Sequence, residues 1–287
     1  MGEDVWPGIR RVLAPNSSAL TGEGTNTWII GTGRLAVIDP GPALPAHLDA
    51  ILGAAGGARV EAIFVTHAHR DHSALAPALA RATGAPVLAF TRAEARARTR
   101  TAAQGVAGTA EGYDRGFRPD IGLADGAVWR GAAGEVYALH TPGHLGDHLC
   151  LLWEGIAFSG DHVMGWATSV IAPPDGNMGD YMASLDRLAF AGAARLFPGH
   201  GPVVADPAAR IAALAAHRRG REAGIVQLLD RGPARIVDLV GVLYPDLAPG
   251  LRPAAAGNVL AHLLDLEGRG RVAALPPGGA DALWQRL

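Results

Sequence analysis

Three histidines and one aspartate lie within six residues of one another, directly after an apolar run at 60–66: His67, His69, Asp71 and His72. The run is rich in β-branched residues and predicts a strand. If the backbone stays extended, the side chains of His67 and His69 leave it on the same face. Imidazole is a common zinc ligand, and a catalytic zinc keeps one position open for water. The cluster therefore predicts a metal site at a strand end; the alternative is a solvent-exposed polar turn.

Asp71 and His72 fall where a loop turns into a predicted helix at 73–83, so they can face a second metal beside the first. Three further polar residues follow apolar, strand-like runs and adjoin glycine or proline: His144 in TPGH, Asp161 in SGD and His200 in PGHG. Strand ends of this kind present ligands to a cleft rather than to the core. Each signal alone is weak, but together the residues supply a full ligand set for two metal ions.

The rest of the chain predicts two domains. Strands at 34–39, 60–66 and 87–90 surround the helix at 73–83 in a β-α-β rhythm. More strands are predicted at 135–140, 148–153, 156–160 and 194–198, with a helix at about 181–192. After residue 205 helices dominate, at about 206–229, 234–243 and 253–267, followed by a hairpin through 268–275. We therefore expect a catalytic domain at 1–205 and a helical, winged-helix-like domain at 206–287.

Composition narrows the class of protein. The 287 residues are 49% hydrophobic and 18% charged, which excludes an intrinsically disordered chain. No apolar stretch of about 18 residues occurs, so no membrane span is expected. The acidic start shows no signal peptide, and the one cysteine, Cys150, is expected unpaired in the core; both favour a cytoplasmic location. A net charge of −2 argues against an electrostatic grip on nucleic acid or membrane along the whole chain.

The order and spacing of HAHRDH, TPGH, SGD and PGHG resemble the metallo-β-lactamase-fold superfamily, and within it the β-lactamase-like protein 2 group. The resemblance implies an α+β fold, an αββα sandwich followed by a small winged-helix-like domain. It also implies the ligands: His67, His69 and His144 for one metal, Asp71, His72 and His200 for the other, and Asp161 bridging both. Zinc is the expected metal, with manganese or iron as alternatives. Asp39 is expected to support the ligands rather than to bind metal.

Two metals about 3.5–4 Å apart lower the pKa of a bridging water towards 7 and supply a hydroxide nucleophile. We assign Asp71 two roles, as a metal ligand and as the group that orients the hydroxide or accepts its proton. We expect a hydrolase of a small-molecule ester, thioester or lactone, as in glyoxalase-II-like enzymes. The alternative is an endoribonuclease of single-stranded RNA, the activity of eukaryotic members of the group that the chain resembles. A third hypothesis, a metal-binding regulatory protein whose tail binds DNA, is disfavoured by the complete ligand set.

The C-terminal region bears on the choice of partner. Residues 206–287 contain ten arginines and eight acidic residues, a net charge of +2. The rest of the chain contains fifteen arginines and nineteen acidic residues, a net charge of −4. This asymmetry supports RNA binding only weakly. A packing role, or a homo-oligomer formed through this domain, is the preferred interpretation.

Other side chains are candidates for supporting the metal ligands or contacting substrate: His148, His162, Trp166 and Ser169. The arginines at 92–100 could bind phosphate, although an exposed helix face is the preferred interpretation. Three histidines, His47, His217 and His262, are expected at the surface.

Overall fold

Two mixed β-sheets form the centre of the molecule. The computed structural model describes residues 2–90, 112–276 and 282–287, so the arginines at 92–100 lie outside the described residues. The first sheet has seven described strands in chain order: β1 (Glu3–Trp6), β2 (Ile9–Leu13), β3 (Asn26–Ile30), β4 (Arg34–Ile38), β5 (Arg59–Phe64), β6 (Val87–Phe90) and β7 (Ile121–Leu123). Neighbours are antiparallel from β1 to β4 and parallel from β4 to β7.

The second sheet has five described strands in the order β12-β11-β10-β9-β8. They are β8 (Val128–Gly131), β9 (Gly134–His140), β10 (Leu149–Trp153), β11 (Ile156–Gly160) and β12 (Leu196–Pro198). All pairs are antiparallel except β11 and β12, which run parallel. Parallel pairing brings the ends of β11 and β12 to the same edge of the sheet, and that edge carries two of the candidate ligands.

Alternation along the strands places the two sheets face to face. In β4, Ala36 and Ile38 belong to a core that also contains Leu149 and Leu151 of the second sheet, whereas Leu35 and Val37 face the opposite side. This pattern follows from the period of two in a strand, which gives each sheet one face towards the shared core and one towards a helical layer.

Helices cover both outer faces. Helix α1 (Pro45–Ala55) and helix α3 (Ala76–Thr83) pack on the first sheet, and α4 (Met178–Phe190) packs on the second. This αββα sandwich confirms the predicted fold class. The helix predicted at 73–83 begins only at Ala76, as α3, and a break separates it from a short preceding helix, α2 (Arg70–Ser73). Pro77 explains the division, because proline has no N–H for a helical hydrogen bond.

The C-terminal region consists of α5 (Pro207–Leu229), α6 (Ile236–Leu243), a 3₁₀ turn (Pro249–Leu251), α7 (Arg252–Gly268) and a hairpin of β13 (Val272–Leu275) and β14 (Leu283–Arg286). Asp206 caps α5, since its Oδ1 accepts a hydrogen bond from the Ala209 N–H at 3.0 Å. Ile211 and Leu214 of α5 pack in the core over the second sheet, whereas Ile225 and Leu229 pack in the C-terminal core. The boundary at residue 205 stays a prediction, as does a homo-oligomer.

No helix in the described ranges is both long enough and apolar enough to cross a lipid bilayer. The 23-residue α5 has the length, but it carries several arginines.

Candidate metal centre

The candidate ligands meet where strands of both sheets end. His67 follows β5, Asp161 follows β11 directly, and His200 follows β12. The glycine of PGHG lets the two sheet edges approach each other. A Cβ at Gly199 would lie 2.5 Å from His72 Cε1 and 2.8 Å from Asp161 Oδ1, closer than real Cβ contacts. The glycine beside the histidine in this motif is therefore required by the close packing of the site.

One group of ligand atoms comes from the loops after β5, β9 and β11. His67, His69, His144 and Asp161 each offer an atom within 4.8 Å of the others. His69 Nδ1 lies 3.0 Å from Nε2 of both His67 and His144. Asp161 Oδ2 lies 3.6 Å from His144 Nε2 and 4.0 Å from His67 Nε2. These atoms converge on one point, as three imidazoles and a carboxylate around a single cation would.

A second group lies beside the first and contains Asp71, His72 and His200. The two Nε2 atoms are 3.3 Å apart, and Asp71 Oδ2 lies 3.5 Å from His72 and 3.3 Å from His200. Asp161 reaches this group as well, because its Oδ1 lies 3.5 Å from His72 Nε2 and 3.4 Å from His200 Nε2. The structure thus brings all seven predicted ligands together, with one oxygen of Asp161 towards each group.

Protein acceptors orient four of the five imidazoles in the same way. Each of these rings uses Nδ1 towards the protein and Nε2 towards the centre. The acceptors are Thr66 Oγ1 for His67 (3.0 Å), Asp39 Oδ2 for His72 (2.9 Å), Val170 O for His144 (2.6 Å) and Gly24 O for His200 (3.1 Å). Such bonds fix the tautomer and leave the Nε2 lone pair available to a metal.

The protonation states of the side chains at this site favour the binding of cations. Burial lowers the pKa of His69 to about 3 and lowers the pKa values of His67 and His144, so these rings are neutral. Burial opposes the charge of His72, yet the carboxylates of Asp71, Asp161 and Asp39 raise its pKa to about 9. A divalent ion would replace such a proton.

The donor set itself also fits a metal pair. Asp161 Oδ1 is buried and makes no hydrogen bond of normal geometry with any residue in the described ranges. A buried carboxylate oxygen that accepts no hydrogen bond is costly unless a cation satisfies it. The residues present therefore fit two divalent ions.

Asp39 lies beneath the candidate ligands. It is buried, and it accepts hydrogen bonds from the Thr66 N–H at 2.8 Å and the Thr66 hydroxyl at 2.8 Å in addition to the bond from His72. Neither group of ligand atoms includes Asp39. This is the supporting position expected for Asp39.

His148 and His162 are both buried beside the centre. His148 Nε2 accepts a hydrogen bond from the Asp161 N–H at 3.2 Å, and its Nδ1 donates to Thr141 Oγ1 at 2.9 Å. The ring of His162 instead packs against Tyr181, with centroids 4.9 Å apart, and does not line the cavity at the site. His148 is therefore placed to support Asp161, whereas the ring of His162 has no access to substrate.

A cavity of about 660 Å³ opens onto the centre. Trp166 is 42% exposed and forms part of its wall, as predicted from its loop. Ser169 is buried and lies behind that wall, where its hydroxyl donates to the carbonyls of Asp161 and His162. Described residues from five regions complete the lining: the 18–21 loop, residues 112–113, the 164–175 loop, α5, and the segment from Tyr244 to Asn258.

The prediction that His47 and His262 lie at the surface was wrong. His47 and His262 are 1% and 2% exposed. His47 Nε2 lies 2.9 Å from Thr27 Oγ1, which itself donates to the Asp39 carbonyl. His47 is therefore linked through Thr27 to the backbone of Asp39, which supports the candidate ligands from below.

Sequence reasoning missed several groups that support the centre. Gly24 and Val170 act through backbone carbonyls, which no residue type marks. Arg218 and Asn258 act from distant helices, through contacts described below. Thr66, by contrast, adjoins His67 in the motif, and that adjacency is a signal.

Comparison with known proteins decides the family. Residues 20–200 match the family model of the Metallo-beta-lactamase superfamily. The chain belongs to the metallo-β-lactamase superfamily. Residues 236–279 match the Beta-lactamase associated winged helix domain, which confirms the expected nature of the C-terminal region.

The sequences of known proteins align with most of this superfamily member. It is 34% identical to the Beta-lactamase-like protein 2 homolog of Drosophila melanogaster, over 92% of this chain and 89% of that protein. It is 32% identical to the Atrochrysone carboxyl ACP thioesterase of Aspergillus terreus, over 80% of this chain and 65% of that protein. A metallo-beta-lactamase family protein from Thermus thermophilus shares the fold, with a TM-score of 0.78, 26% identity and coverage of 99% of this chain and 100% of that one. This metallo-β-lactamase superfamily protein is a metal-dependent hydrolase.

Proposed function

We propose that the protein is a hydrolase that carries two divalent metal ions, preferably zinc, and cleaves thioesters or related esters and lactones. The proposal depends chiefly on one observation, the largely apolar cavity that opens onto the two groups of ligand atoms. The printed name of the Aspergillus relative, an ACP thioesterase, supports the thioester.

The seven convergent residues divide between the two metals. In the proposal, His67, His69 and His144 hold one ion and Asp71, His72 and His200 hold the other. Asp161 would hold both ions, a role supported by its distances of 3.4–4.0 Å from imidazole nitrogens of both groups. Bound ions would supply a hydroxide nucleophile from water and stabilise the charge that develops on the substrate carbonyl oxygen.

Asp71 is the residue that we assign to proton transfer. Its side chain keeps 28% exposure and lines the cavity, whereas the Asp161 side chain keeps 11%. Burial opposes its ionisation, but His72 and His200 hold the pKa of Asp71 below its usual range. An ionised carboxylate at the cavity wall can orient an attacking water and accept its proton.

The cavity wall favours an apolar acyl group over a polyanion. Its lining includes Leu20, Leu145, Met164, Val170, Leu247 and Leu251. Arg218 is the only arginine among the described lining residues, and it is 2% exposed. Because nucleic-acid affinity depends on phosphate neutralisation, the described part of this wall offers little to RNA. A small-molecule acyl substrate is therefore the better match.

One metal-quantified preparation tests the proposal. It is assayed on a panel of thioesters, aryl esters and lactones and on a fluorescent single-stranded RNA, with and without a chelator. We expect chelator-sensitive thioester turnover that falls about 10²–10⁴-fold in Asp71→Ala. Asp49→Ala, on the exposed side of α1, is the matched control.

Chelator-sensitive RNA cleavage without thioester turnover would replace the proposal with the endoribonuclease. Elemental analysis of the same preparation decides between zinc and its alternatives, manganese and iron.

A further inference from the structure

A three-residue segment, 169–171, contacts two of the proposed ligands. The Val170 carbonyl accepts the 2.6 Å hydrogen bond from His144 Nδ1. The Ser169 hydroxyl donates to the carbonyl of Asp161 and, at 2.9 Å, to that of His162. The 169–171 segment therefore fixes the ring of His144 and the backbone from which the Asp161 carboxylate projects.

Two residues of the C-terminal helices hold this segment. Asn258 of α7 accepts at Oδ1 from the Ile171 N–H at 3.0 Å and from Arg218 Nη1 at 3.1 Å. Arg218 of α5 also donates from Nη2 to the Ser169 carbonyl. The two helices and the 169–171 segment thus form one hydrogen-bonded network that ends at the metal centre.

The burial of Arg218 indicates that its hydrogen bonds matter. It is 2% exposed, and no carboxylate in the described ranges forms an ion pair with it. Its guanidinium lies 5.2 Å from the centroid of the Tyr181 ring. Burying a charge without a counter-ion costs free energy that an apolar side chain would avoid. Directional donors to Ser169 and Asn258 explain why an arginine occupies this position.

Close packing keeps α7 beside the segment. A Cβ at Gly257 would lie 2.8 Å from the Cβ of Ala172, the residue after the segment. The absent side chain lets the helix approach closely enough for Asn258 to accept from Ile171.

We propose that Arg218 and Asn258 are positioning residues for the metal centre. They hold the 169–171 segment, the segment orients His144 and Asp161, and the C-terminal domain thereby contributes to metal affinity without supplying a ligand. The inference rests on the proposed metal site.

Cobalt binding tests this coupling. Arg218→Met and Asn258→Leu remove the hydrogen bonds while keeping similar size, and Asn258→Asp retains the Oδ1 acceptor. Arg221→Met is the matched control, because Arg221 lies on the same helix but donates to the Leu243 carbonyl and stacks on Tyr244 at 4.1 Å. Metal-free full-length proteins are titrated with Co²⁺ and followed by its visible absorption, and their thermal unfolding is recorded in parallel.

We expect Arg218→Met and Asn258→Leu to bind Co²⁺ about 10–100-fold more weakly, with an altered absorption spectrum, the range typical of lost supporting contacts. Arg221→Met and Asn258→Asp should change affinity less than about threefold, whatever their thermal stability.

Wild-type Co²⁺ affinity and spectrum in folded Asn258→Leu and Arg218→Met would overturn the inference and leave the metal site intact. If Arg218→Met does not fold, Asn258→Leu and Ser169→Ala decide the question. Absence of Co²⁺ binding by the wild type would instead overturn the metal site and this inference together.

Discussion

Asp39 Oδ2 lies 2.9 Å from His72 Nδ1, while Oδ1 of the same carboxylate accepts the Thr66 N–H at 2.8 Å. One buried side chain thus ties α2 to the strand end that carries His67. We expect Asp39→Ala to weaken Zn²⁺ binding about 10–100-fold, because His72 loses the acceptor that turns its Nε2 towards the centre. Calorimetric titration of the metal-free protein measures the change. Asp49→Ala is the control, and equal affinities in the two variants would contradict the assigned role.

The metal-free protein is expected to lose stability as the pH rises from about 8 to 9. The pKa of His72 is raised to about 9 in the folded state, so between these values the folded state binds more protons than the unfolded state. This contribution is complete below pH 6.5 and is lost as the pH passes through about 9. His69, with a pKa of about 3, stays neutral in the folded state, but unfolded His69 is half protonated near pH 6.5, so its opposing slope ends only by about pH 8.

Urea midpoints at pH 8 and pH 9 in the presence of a chelator measure this dependence. A zinc-loaded sample should not show the decline, since the metal replaces the proton on His72. A midpoint of the metal-free protein that rises over the same interval would show that His72 carries no such proton.

The thiol of Cys150 should resist alkylation in the folded protein. The side chain is fully buried in β10, and burial raises its pKa to about 12. Because the thiolate is the reactive form, a thiol-specific reagent at pH 8 is expected to label one group per chain only after unfolding in guanidinium chloride. Fast labelling of the native protein would place this strand outside the core.

Substitution of Gly201 should disturb the wall of the cavity. Its φ is +76°, a left-handed conformation, and a Cβ there would lie 2.2 Å from Trp166 Cδ1. We expect Gly201→Ala to cost about 1–3 kcal/mol of unfolding free energy through backbone strain and to raise the KM for thioesters by moving Trp166. Gly33→Ala, with nothing within 4 Å of its Cβ, should leave both quantities unchanged. Chemical denaturation and steady-state kinetics compare the pair.

The seven convergent side chains were predictable because each follows a strand closely in the chain, in a loop or, for Asp71 and His72, in the short helix α2. Strand ends meet at the edges of sheets, and Gly199, directly before His200, has no side chain to block the close packing there. The apolar run at 34–39, with its β-branched residues, likewise predicted the strand that is β4 in the structure. The sequence pattern was sufficient for these features because each depends on residues that are close together in the chain.

Other features depend on contacts between distant parts of the chain. The carbonyls of Gly24 and Val170 orient His200 and His144, yet every residue has a carbonyl. A lone histidine in a helix gives no periodic signal, so nothing in the sequence marked His47 as buried. Strands β1 and β2 were not predicted, since Arg10 and Arg11 interrupt the apolar pattern that an edge hairpin of this kind would otherwise show.

Helix α5 belongs to two cores at once, with Ile211 and Leu214 over the second sheet and Ile225 and Leu229 in the winged-helix core. Because α5 packs in both cores, unfolding of either core removes apolar contacts from the other. We therefore expect heat to unfold the chain in a single cooperative step. Anyone who exchanges the winged-helix domain for another module must keep the first turns of α5, through Leu214, with the catalytic part. A truncation at residue 205 would leave an uncovered apolar patch and a protein prone to aggregation.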